Sequence, residues 1–110
     1  MMQIRKTYKE VSPELLNGEI KEFILKQGAT LGENKNDTYT LPDESADFIS
    51  RSTMTFSVSG RECLRVHTVG SARGETKLMI DIDEKLFSHE KLNALQTDLD
   101  FIFGSYEVKK

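Results

Sequence analysis

Cys63, Arg65 and His67 occupy alternate positions of one strand-like run. A thiol with an imidazole is the nucleophile–base combination of covalent catalysis. The spacing opposes that use. Four residues along a strand span roughly 13 Å, whereas a base must come within about 3 Å of the proton it takes. The acid–base set left by this argument is Arg65, His67 and Asp81, converging from two strands with cross-strand neighbours to complete it. Asp81, Asp83, Glu84, Asp98 and Asp100 raise the question of a metal. Two histidines and one distant cysteine lack zinc spacing, and no loop alternates carboxylates around a central glycine as calcium loops do. No metal and no cofactor is expected. Gly70 to Gly74, with Arg73, could hold an anion on backbone amides and a guanidinium. It joins two strands instead of opening a helix, and so reads as a hairpin loop.

These residues must be positioned by strands. Met54, Phe56 and Val58, then Leu64 and Val66, then Leu78, Ile80 and Ile82 put apolar side chains on even numbers. The odd positions between them are mostly polar. Three such runs predict an antiparallel meander with one buried and one wet face. Cys63, Arg65 and His67 fall on the wet face, and Arg51, Lys77 and Arg61 make it basic. Paired residues share a face, so even must meet even. That parity predicts a three-residue loop around Ser59-Gly60, with Gly60 at positive φ, and a five-residue loop over Gly70 to Gly74.

Met2 to Tyr8 reads as a first strand, with Lys6 as a defect on its apolar side that suits a strand end or an edge. Ser12-Pro13-Glu14 opens a helix, with Val11 and Leu16 at staple spacing, and Gly28 stops it. Leu16, Ile20, Phe23 and Ile24 form its stripe. Residues 29 to 50 are the least legible. Asn34-Lys35-Asn36-Asp37 reads as a turn between short strands at 29–33 and 38–41, and Pro42 to Asp47 as an acidic loop. A last helix starts at Ser88, buries Leu92, Leu95, Leu99, Ile102 and Phe103, and ends at Gly104. Tyr106 to Lys110 reads as a frayed tail.

The 110 residues fit one domain, 1–110, of class α+β. The architecture expected is a two-layer sandwich: an antiparallel meander sheet with an N-terminal and a C-terminal helix packed on one face. In element order this resembles the helix-grip superfamily of START-like and pollen-allergen-like proteins, and also TATA-box-binding-protein-like domains. The resemblance implies a ligand cavity between helix and sheet and carries over no site residue.

Fifteen basic against eighteen acidic residues, net −3, disfavour binding driven by phosphates. The basic face also lacks aromatic platforms for bases. No apolar run reaches the roughly 18 residues of a membrane span. The charged N-terminus lacks a secretory signal, and one cysteine cannot form an internal disulfide, which together suit the cytoplasm. The function expected is a non-catalytic binding module. Its ligand is a small apolar molecule lined by Phe56, Val66, Ile80, Leu95, Leu99 and Phe103, or else a protein partner. Leu25 and Phe101 point away from their helices' stripes and offer a surface for a homo-oligomer or another protein. The alternative is a small enzyme using Arg65, His67 and Asp81, and the third reading is a nucleic-acid-binding sheet.

Overall fold

The period-two runs form strands and the period-3.6 stripes form helices, in the order β1 (Met2–Lys9), α1 (Pro13–Lys26), β2 (Thr30–Thr40), β3 (Phe48–Val58), β4 (Arg61–Ser71), β5 (Glu75–Ile82) and α2 (His89–Phe103). A 3-10 turn over Gly104–Tyr106 follows. The structure, a computed structural model, describes residues 2–40, 48–71 and 74–108, with side chains described for 2–38, 49–70 and 74–108. The expected acidic loop at Pro42 to Asp47, and Ala72 and Arg73 of the expected anion loop, lie outside the described residues.

All strand pairs are antiparallel, in the spatial order β1-β5-β4-β3-β2. α1 carries the chain from one edge of the sheet to the other. The meander then returns strand by strand until β5 lies beside β1. Both helices cover the even-numbered face, as expected for the two-layer α+β sandwich. Leu16, Ile20 and Ile24 of α1 join Leu92, Leu95, Leu99 and Phe103 of α2 over Ile4, Met54, Phe56, Leu64, Val66, Leu78, Ile80 and Ile82.

Local signals set the helix ends. Ser12 Oγ accepts a hydrogen bond from the Leu15 amide at 3.1 Å, and Ser88 Oγ from the Lys91 amide at 3.3 Å. Both caps satisfy amides that have no partner within their helix. The staple partners Val11 and Leu16, and Phe87 and Leu92, are all buried. Ile102, expected in the buried stripe, is 38% exposed, because the apolar face of α2 is only wide enough to bury its neighbour Phe103.

Three expectations are corrected. The β3–β4 connection is a two-residue turn, not a three-residue loop: Val58 pairs with Arg61, and Ser59 and Gly60 both take positive φ (53° and 77°). This is the turn whose twist matches a hairpin. Parity is restored inside the ladder instead. Phe56 pairs with Leu64 while Ser57 pairs with Glu62, so Cys63 is an extra residue in a β-bulge. Second, Asn34 to Asp37 is no turn but the middle of β2, paired with Met54 to Arg51 of β3. A continuous neighbouring strand supplies backbone partners that outweigh the local turn propensity. Third, the C-terminal segment is tied down as far as Val108, whose amide donates to the Thr7 carbonyl at 2.7 Å. Glu107 bridges to Tyr8. Lys6, the defect on β1, reaches Glu107 at 3.3 Å and Asp100 at 3.5 Å, so its charge is paired at the edge.

Candidate functional site

The even face of the sheet changes character along its length. Toward β4 and β5 it is mostly aliphatic, interrupted by the buried Thr68 and Thr76; Thr68 lies opposite Ser52 and its hydroxyl is also unpartnered among the described residues. On β3 the inward positions before Met54 are Ser52 and Ser50, and the β2 residues paired with Met54, Ser52 and Ser50 are Asn34, Asn36 and Thr38. These polar inward positions face α1 where that helix presents Asn17 and Gly18. Together they enclose an open cleft of about 350 Å³, walled by Pro13, Glu14, Asn17, Gly18 and Lys21 on one side and by β2 and β3 on the other. The volume is at the lower end of small-ligand sites.

Two atoms on the cleft's lining are conspicuous. Ser52 is only 6% exposed, and its hydroxyl has no hydrogen-bond partner among the described residues. Asn17 Oδ1 is buried and equally unpartnered. Leaving such a group unpaired costs roughly 1–3 kcal/mol each. Gly18 adds to this. Mid-helix glycine costs about 1 kcal/mol relative to alanine, yet a Cβ there would meet nothing within 4 Å. Packing does not require the glycine; its effect is to leave the cleft wall open. The rim charges balance, Glu14 against Lys21 on α1, since the side chains of Asp37 and Arg51 belong to the outer sheet face. A lining of amides and hydroxyls with no net charge suits a small neutral molecule that both donates and accepts hydrogen bonds.

The outer sheet face holds the second cluster. His67 Nδ1 lies 3.3 Å from Thr53 Oγ1, His67 Nε2 lies 3.8 Å from Asp81 Oδ2, and Asp81 Oδ1 accepts from Gln3 Nε2 at 2.7 Å. The row crosses β3, β4, β5 and β1. Arg65 is directly opposite Asp81 in the ladder, but its guanidinium is bound to Glu62 at 3.1 and 3.3 Å. The structure therefore brings Arg65, His67 and Asp81 onto one surface. The imidazole–carboxylate separation exceeds hydrogen-bond reach. Amides of these inner strands are committed to the ladder, which leaves no free pair to hold an oxyanion.

Cys63 does not share that face. The bulge turns it inward, it is 1% exposed, and burial pushes its thiol upward, which makes it a poor nucleophile. Arg61, paired with Val58, is likewise off the outer face. Among the described residues no group of three or more His, Cys, Asp or Glu side chains could hold a metal. Phe56, Val66, Ile80, Leu95, Leu99 and Phe103 all sit in the core, and none lines the α1 cleft. Leu25 is 40% exposed and Phe101 89%. No described helix is long and apolar enough to cross a membrane.

Sequence reasoning missed Asn17, Ser52 and the inward residues of β2. Two signals were present: serines at the even positions 50 and 52, and a glycine inside α1. No protein-family model, no curated protein and no solved structure matches the chain.

Proposed function

We propose that the protein is a non-catalytic binding module whose site is the cleft between α1 and β2–β3. Its ligand is a small neutral molecule rich in hydroxyl or amide groups, in place of the apolar ligand expected from sequence. The observation that carries this reading is the buried Ser52 hydroxyl, unpartnered on the lining of an open polar cleft. Both atoms are almost inaccessible, so a ligand hydroxyl or amide would satisfy Ser52 and Asn17 after a small shift of the lining. The free cysteine fits a reducing, cytoplasmic setting. Exposed Leu25 and Phe101 are the candidate surface for a protein partner.

Amide-detected NMR titration with a panel of sugars, polyols and primary amides tests the site. The expected result is shifts at Asn17, Asn34 and Ser52 that disappear in Gly18→Leu. That variant adds bulk to the cleft wall at a position where a Cβ meets nothing within 4 Å. Shifts confined to other surfaces, or a Gly18→Leu protein that binds as well as the parent, would remove the cleft from consideration.

The row Thr53–His67–Asp81 motivates a second reading, hydrolysis on the outer face, which would require the 3.8 Å gap between His67 and Asp81 to close. It predicts ester-cleaving activity lost in His67→Ala, and a protein inactive across an ester panel excludes it.

A further inference from the structure

The two edges of the sheet differ. Along β1 the chain's own Glu107 and Val108 add backbone contacts. β2, at the other edge, carries no such cover among the described residues, and Gly32 to Thr38 are exposed throughout. An uncovered edge displays unpaired amides and carbonyls, which template another strand.

We infer that two copies of this chain pair antiparallel through β2, with the twofold axis at Asn36. The charge order of β2 selects both partner and register. Lys35 and Asp37 lie on the outer face, opposite Thr53 and Arg51 of β3. Pairing about Asn36 sets each Lys35 against the other copy's Asp37. Asp37 then lies between Arg51 of its own chain and Lys35 of its partner, so charge alternates across the seam. On the inner face Asn36 meets Asn36 and Asn34 meets Thr38, all able to exchange hydrogen bonds. A shift to an axis at Asn34 would pair Glu33 with Lys35, but it places the bulge between Leu31 and Asn34 inside the new ladder. The axis at Asn36 uses the straight segment Asn34–Thr38 and leaves the bulge beyond it.

The pairing also reshapes the cleft. Asn34, Asn36 and Thr38 form its open side. In the dimer the same residues of the second copy continue that side, and two half-clefts become one polar trough between the two α1 helices. The dimer itself does not depend on what the cleft binds.

Sedimentation equilibrium over a concentration series tests the pairing, with circular dichroism confirming that each variant is folded. The parent chain should dimerise. Lys35→Glu should weaken the dimer about tenfold or more, and Lys35→Glu with Asp37→Lys should restore part of it, since the swap keeps each pair across the seam opposite in sign while setting a cation against Arg51 within the chain. Oxidation of Asn36→Cys should cross-link two chains across the axis, while Thr38→Cys, which faces Asn34, should not. A chain that is monomeric at every concentration overturns the inference. So does a dimer indifferent to the charge variants, or one cross-linked at position 38 instead of 36. A monomer that recruits a free extended peptide to β2 would likewise transfer the edge to a different partner.

Discussion

Tyr8 shows how a single side chain can be well packed and still costly. Its ring meets Phe103 edge-on at a centroid distance of 5.9 Å, within the favourable range for aromatic pairs. Its hydroxyl is buried and unpartnered among the described residues. Burial first, then the charges of Glu107 and Asp100, hold the phenol far above its usual range. Tyr8→Phe should therefore stabilise the fold by about 1 kcal/mol, because it deletes an unsatisfied group and keeps the ring contact. Urea melts measure this, and a loss of stability would reveal a partner for the hydroxyl. Cys63 is the other informative residue. An inward thiol raised by burial should react with a disulfide reagent only when the chain opens, so native labelling should be slow and labelling in urea fast. Rapid native labelling would contradict the bulge geometry that turns it inward. Strand parity alone assigned Cys63 to the wet face. A bulge adds one residue without a strong sequence mark, and that one residue reverses the side chain.

Between elements, the seating of α1 decides where the cleft opens. Gly70 on β4 lies against the Pro13 ring at the start of the helix, and a Cβ at Gly70 would run into that ring. Thr76, which pairs with Gly70, donates its hydroxyl to the Val11 carbonyl at 2.6 Å. Gly70→Ala should cost about 1–3 kcal/mol through overpacking. Chemical denaturation checks it, and a neutral substitution would mean that the helix start can lift away freely. The two helices also meet through carboxylates. A hydrogen bond shared with Asp98 is the main cause of Glu19's raised pKa, with partial burial and the negative charges of Asp98 and Glu22 adding to it. A raised folded-state pKa means that the folded chain binds the proton more tightly than the unfolded chain. Stability should then fall as pH climbs from the ordinary glutamate value through the raised one, and stay lower above it. Asp98→Asn should remove that slope and stabilise the protein near neutral pH, as melts across a pH series would show. An unchanged pH profile would mean the two carboxylates do not interact. The caps and staples of both helices were legible, being local and chemically specific. The extent of β2 was not, because Asn-Lys-Asn-Asp is turn-like by itself and becomes a strand only with β3 alongside.

For the whole molecule, charge and topology speak to different partners. The outer sheet face carries Arg51, Arg65 and Lys77, but Arg65 is engaged by Glu62 and the chain as a whole is net −3. Single-stranded RNA should bind no tighter than about 10⁻⁴ to 10⁻⁶ M, the non-specific range. Titration at low and moderate salt decides it. A tight, salt-sensitive complex weakened by Lys77→Ala would move function to that face. Amino-acid order by itself determined the α+β class, the buried even face and both helix starts. Each follows from periodicities or caps that act within a few residues. Only the tertiary structure decided that β1 and β2 lie at opposite edges, that Cys63 turns inward, and that Ser52, Asn17 and the inward side of β2 meet around one cleft. Those outcomes depend on register and on the seating of a helix, which are set by the joint packing of distant segments.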